Sequence, residues 1–175
     1  AELALQPGEL LERLNDLWFD GAVGQVTEQE VYAELCRRLG LRDEQLERMR
    51  TEMWDDYLGS PNEELIDYFR SLRQRYRTGI ISNSFVGARE REQQRYGFGD
   101  MCEVIVYSHE VGVAKPDRRI YEITCERMNL QAPEAVFLDD VEENIVAARE
   151  LGFRAVLFVN NAQAISEIEA HLLQP

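Results

Sequence analysis

No stretch of this chain is apolar for long enough to cross a membrane, and none carries the glycine-rich phosphate loop of the P-loop or dinucleotide type. The first absence excludes a spanning helix, the second a nucleotide cradle built on clustered glycines. Cysteine is scarce: Cys36, Cys102 and Cys125 are odd in number and lack metal-site spacing. Free thiols in a reducing compartment follow, and with no signal-peptide character at Ala1-Glu2-Leu3-Ala4 the expected location is cytoplasmic. Basic residues are also few, 19 against 33 acids, for a formal charge of −14. Nucleic acid and anionic membrane are therefore poor partners, and a phosphorylated ligand has to be met by local cations. Internal repeats and low-complexity tracts are absent as well.

What is present has two textures. From Gly8 to about Leu58 the apolar residues fall at helical spacing: Leu10, Leu14, Leu17 and Trp18, then Val31, Leu35 and Leu39, then Leu46, Met49 and Met53. Thr27-Glu-Gln-Glu30 is a capping-box signature, Gly40 suits a helix end, and Gly59-Ser60-Pro61 closes the segment. Beyond Pro61, helices alternate with β-rich runs. Helices are expected at about Asn62–Arg75, Ala88–Tyr96, Arg118–Met128, after Asp140, and at Ala162–Leu172. Strands are expected at Thr78–Ser82, Glu103–Tyr107, Ala135–Asp139 and Arg154–Val159. That order predicts an α/β fold with a doubly wound parallel sheet over 61–175, preceded by a small α-helical module over 1–60.

Three polar clusters fall at expected strand ends or in the loops after them, the edge where open α/β sheets bind ligands. Ala135-Val-Phe-Leu delivers Asp139 and Asp140, two adjacent carboxylates whose mutual repulsion calls for a cation or a proton. Magnesium suits such a pair, although Asp140 could equally cap the following helix. Ile80-Ile81 runs into Ser82-Asn83-Ser84, groups that suit a phosphoryl oxygen or an oxyanion, or that simply form a turn opening a helix. Lys115 precedes Pro116, which favours extended geometry, and Asp117 is placed to start a helix; alone, such a lysine reads as solvated.

The ordered set Ser82-Asn83, Lys115 in Lys-Pro-Asp-x-x-Ile-Tyr121, and Asp139-Asp140 followed by Asn144 resembles the haloacid dehalogenase-like hydrolase superfamily over about Asn62 to Val159. The helical module resembles that superfamily's cap, and the whole looks most like sugar-phosphate phosphatases and the phosphatase half of soluble epoxide hydrolases. The resemblance implies that Asp139 and Asp140 hold or orient Mg2+. It implies that Lys115 neutralises the attacking carboxylate and phosphate, and that Ser82 and Asn83 bind phosphate oxygens. The substrate class implied is a small phosphorylated metabolite, hydrolysed through an aspartyl-phosphate.

The superfamily's first motif, a strand ending Asp-x-Asp, does not occur in this sequence. Phe19-Asp20-Gly21 lacks the second acid and sits in helical spacing, so it is expected to end a helix and takes no catalytic role. In the family fold the missing strand lies between those ending at Ser82 and Asp139. Leaving its neighbours' amides unpaired in a core would cost on the order of 1–3 kcal/mol each, too much for a domain stable by about 5–15 kcal/mol. The 175 residues are accordingly expected to be part of a longer chain that carries it, and to be inactive without it. A non-catalytic phosphate- or partner-binding protein and a 2-haloacid dehalogenase are the alternatives; the double acid speaks against the second, whose chemistry needs no metal. Trp18, Phe19 and Tyr57 are expected to pack within the cap, and oligomeric state is not legible.

Overall fold

A computed structural model describes residues 7–173, with side chains from 14 to 173; Ala1 to Ala4 and the Leu10 side chain lie outside the described residues. Three helices come first: α1 Pro7–Ala22, α2 Glu28–Leu39 and α3 Asp43–Leu58. The Thr27 capping box is closed, with the Glu30 N–H donating to the Thr27 hydroxyl at 3.2 Å and the Thr27 N–H donating to the Glu30 carboxylate at 2.7 Å. Gly40 ends α2 at φ 63, a left-handed conformation that glycine adopts without a Cβ clash. The predicted stripes point inward: Leu14, Leu17, Val31, Leu35 and Trp54 are buried, with Trp18, Leu39, Leu46, Met49 and Met53 packed around them. Phe19-Asp20-Gly21 lies inside α1, and Phe19 is 63% exposed, so the expectation that it packs in the cap fails.

This helical cluster is completed from further along the chain. Phe85, Val86 and Ala88 are buried in it, the Phe85 ring lying 4.9 Å from Trp18 and 6.5 Å from Trp54. The approach is so close that a Cβ on Gly21 would sit 2.3 Å from the Phe85 ring.

The remaining elements alternate as expected. They are α4 Glu63–Leu72, β1 Gly79–Ser82, α5 Ala88–Tyr96, α6 Phe98–Met101, β2 Val104–Tyr107, α7 Ser108–Val111, α8 Arg118–Met128, β3 Val136–Asp139, α9 Glu142–Glu150, β4 Arg154–Leu157 and α10 Asn161–Leu172. A 3-10 turn spans Ala132–Glu134. Two of these helices, α6 and α7, are one turn long, too short to show a period in sequence. Among the described residues no helix is long and apolar enough to cross a membrane, and Cys36, Cys102 and Cys125 are unpaired.

All strand pairing is parallel, but the sheet is in two pieces. β1 pairs with β2, and β3 with β4; β1 and β3 share no ladder. β3 directs the Ala135 and Asp139 carbonyls to β4, where they accept from the Arg154 and Phe158 N–H groups at 3.1 and 2.8 Å. Alternation then turns the main chain of Val136 and Leu138 to the other side. These residues and the whole of β1 are half-buried. Both pairs are held by one core, in which Val106 of β2 and Ala155 of β4 pack with Ile120, Tyr121, Ile145, Ala148 and Phe153.

The helical module and the α/β part also meet at a buried carboxylate. Glu92 of α5 accepts from Tyr107 at 2.7 Å and from Tyr57 of α3 at 3.2 Å. Arg89 lies with its guanidinium 4.6 Å from the Tyr107 ring centroid. Burial raises the Glu92 pKa above its ordinary 4.5, opposed by the two phenol hydrogen bonds and Arg89. A raised folded pKa contributes stability below the unfolded value that is lost as pH rises through the folded one. Glu92→Gln is therefore expected to match the wild type near pH 4 and to exceed it in stability at pH 8, as urea melts at the two pH values will read.

Candidate active site

The Lys115 loop, between α7 and α8, brings the three clusters together. It is followed by a cis Lys115–Pro116 peptide and by Asp117, which caps α8 by accepting from the Arg119 N–H at 2.8 Å. The Lys115 ammonium donates to Asp139 at 2.6 Å and to the Ile81 carbonyl at 3.0 Å, so it joins the ends of β3 and β1. The pair is well shielded, with side chains 11% and 5% exposed. Asp139 is held on its other oxygen by the Val141 N–H and the Asn144 amide, both at 2.9 Å. Asn144 is buried in turn, and its carbonyl accepts from Tyr121 at 2.9 Å.

Asp140 is unlike its neighbour. It is exposed and makes no hydrogen bond or ion pair among the described residues. The helix-capping alternative fails, because the N-cap of α9 is Val141 and it is Asp139 that accepts from the Val141 N–H. The turn alternative for Ser82-Asn83-Ser84 fails in the same way, since α5 begins only after Gly87. The half-buried Ser82 hydroxyl makes no hydrogen bond among the described residues. Asn83 is engaged at both ends with the Lys115 main chain, donating to its carbonyl at 2.8 Å and accepting from its N–H at 2.7 Å.

Counting valences shows what remains available. An ammonium has three donors and Lys115 uses two; a carboxylate has about four acceptor sites and Asp139 uses three. One N–H, one lone pair, the Ser82 hydroxyl and both oxygens of Asp140 are left on one strand edge. No group of three or more His, Cys, Asp or Glu close enough to hold a metal occurs among the described residues. Two hard carboxylates still fit magnesium, which is ordinarily bound through one or two of them and keeps several waters. A groove of about 420 Å³ lined by Tyr121, Cys125, Leu130 and Leu151 shares no residue with this cluster.

Two features escaped the reading from sequence. Lys115 is the one lysine among 19 basic residues, the rest being arginine. That singularity was visible without a structure. The second is a buried network behind the site loop. The Ser84 N–H donates to the Ser108 hydroxyl at 2.9 Å, which donates to the Ala22 carbonyl at 2.7 Å, while the Ser84 hydroxyl lies 2.6 Å from His109 Nδ1. Burial lowers the His109 pKa, which favours the neutral ring. Nothing in the spacing of these residues announced it.

A family model described as haloacid dehalogenase-like hydrolase matches residues 7–152. The chain belongs to this family. Among curated HAD-like relatives, bifunctional epoxide hydrolase 2 of Mus musculus is 29% identical over 54% of this chain and 18% of its own length. D-ribitol-5-phosphate phosphatase of Bacteroides thetaiotaomicron is 24% identical over 67% of this chain and 60% of its own. The chain thus spans less than two thirds of the length of either. A HAD family enzyme from Bacteroides thetaiotaomicron, solved as a magnesium complex, superposes with a TM-score of 0.73 at 22% identity, covering 86% of this chain and 78% of that one. The α/β HAD-like fold expected from the sequence is therefore the fold observed.

Proposed function

We propose that this HAD-like hydrolase chain carries the phosphate- and metal-handling groups of a magnesium-dependent phosphatase for a small phosphorylated metabolite. The observation that carries the reading is the Lys115 ammonium, fixed at 2.6 Å from Asp139 and 3.0 Å from the Ile81 carbonyl, with Ser82 and Asp140 following those two residues and making no side-chain hydrogen bond among the described residues. Such an array matches a phosphoryl group, which needs cations and donors on its equatorial oxygens. Lys115 would offer its third N–H to one oxygen, and Ser82 its hydroxyl to another. Asp140, with the spare lone pair of Asp139, would hold Mg2+, which supplies Lewis-acid charge neutralisation when bound. The attacking carboxylate would arrive on a strand between β1 and β3. Its oxygen would bond to phosphorus as the ester oxygen leaves, and water would then release phosphate, splitting one displacement into two. The helical module α1–α3 would act as the cap and choose the substrate.

Names of relatives support the phosphatase reading, D-ribitol-5-phosphate phosphatase among them. A phosphate-binding protein without turnover is the second reading, which the same ammonium, hydroxyl and carboxylate would serve. Asp140 is exposed and makes no hydrogen bond or ion pair among the described residues, so Asp140→Ala is expected to change stability by no more than about 0.5 kcal/mol. The same variant, or EDTA, is expected to abolish magnesium-dependent orthophosphate binding in calorimetry. Phosphate binding indifferent to both would remove the metal from the site. Binding without turnover of phosphate esters favours the second reading, and EDTA-insensitive halide release from 2-haloacids would indicate a dehalogenase.

A further inference from the structure

Asn83 is engaged at both ends with one residue's main chain: one of the two N–H groups of its carboxamide donates to the Lys115 carbonyl, and its oxygen accepts from the Lys115 N–H. Two bonds running in opposite senses between a carboxamide and the N–H and C=O of one residue make a closed pair, which fixes direction and height where a single bond would leave a pivot. Asn83 and Lys115 are 32 residues apart, in two different loops. The ammonium is gripped from the same place, since the Ile81 carbonyl lies two residues before Asn83. Lys115 is thus indexed to the end of β1 by its main chain and its side chain together, while its charge is delivered to Asp139 at the end of β3.

We infer that Asn83 is a positioning residue for Lys115, setting the height of the ammonium in the site. The side-chain type follows from that task. Serine is too short to close the pair, glutamine adds a methylene, and aspartate keeps the acceptor but loses the donor. Asn83 is exposed, so packing does not demand an amide there. Its consequence for turnover rests on the phosphatase reading; the pair itself does not, and it can be tested without any activity.

In the 175-residue chain the single lysine makes the test direct, because this chain labelled with [15N]lysine shows one backbone amide resonance, that of Lys115. In Asn83→Ala this resonance is expected to shift and to exchange with deuterium about 5- to 10-fold faster, the equivalent of losing one hydrogen bond. Acetylation of the Lys115 amine by an N-hydroxysuccinimide ester, followed by mass, is expected to accelerate as the ammonium leaves its partners. Asn83→Asp keeps the acceptor and is expected to retain the slow amide exchange. Ser84→Ala loosens the neighbouring loop residue without touching the pair and is expected to leave the lysine signals unmoved. Unchanged lysine exchange and acetylation in Asn83→Ala overturn the inference, and so does an equal response in Ser84→Ala, which would mean general loosening of the loop. If the protein proves unable to bind or turn over phosphate, the lysine resonance still reports on the pair, so the two failures are separable.

Discussion

Lys115→Met is expected to cost about 3 kcal/mol of folding stability, a large effect for one charge, and to eliminate orthophosphate binding. Methionine keeps an unbranched stem near the Phe137 ring, whose centroid lies 5.8 Å from the ammonium, so the loss is electrostatic more than steric. Without the ammonium, the second oxygen of Asp139 is left nearly buried beside the Ile81 carbonyl, two acceptors with no donor between them. An unpaired charge in such a place costs more than the pair is worth intact, because desolvation is no longer offset. Adding Asp139→Asn to Lys115→Met removes that charge while an amide oxygen still accepts from Val141 and Asn144. The double variant is expected to recover about 2 kcal/mol relative to additive loss. Urea melts with a shared slope will read these differences. A Lys115→Met variant within about 0.5 kcal/mol of wild type would show that the pair bears no stability and that Asp139 is wetter than its 5% exposure implies.

Phe85→Ala is expected to destabilise by about 3–5 kcal/mol and to weaken the docking of the helical module in particular. The ring fills the space between Trp18, Trp54 and the backbone of Gly21, and the adjoining Val86 N–H donates to the Gly21 carbonyl at 3.2 Å. An alanine leaves a cavity that Gly21 cannot fill and that two indole rings cannot readily collapse into. The measurement is tryptophan fluorescence through a thermal melt, since Trp18 and Trp54 are the two tryptophans. A change confined to fluorescence, with no loss of stability, would mean that the module packs well enough without this plug.

Periodicity made the helices legible wherever they ran for two turns or more. Ala88–Tyr96 and Arg118–Met128 begin and end where the pattern puts them, and Thr27 and Gly40 announce the limits of α2. The four strands were readable from short β-branched runs, to within one or two residues at their ends. The contents of loops were not readable, because their contacts obey no period. Phe85 and Val86 follow a polar turn and give no sign that they, with Ala88, complete a helical core whose other buried members precede residue 55. Resemblance and spacing brought Ser82, Asn83, Lys115, Asp139 and Asp140 to one edge, yet only geometry separates the pinned Asp139 from the free Asp140 and the committed Asn83 from the free Ser82. Those distinctions depend on which atom a group points at, and residue type does not encode it.

The charge of these 175 residues also bears on how copies of the chain treat one another. At −14 it makes close approach of two copies unfavourable at low ionic strength. The excess of acids that repels nucleic acid thereby also keeps copies apart, and added salt, by shortening the range of that repulsion, weakens it.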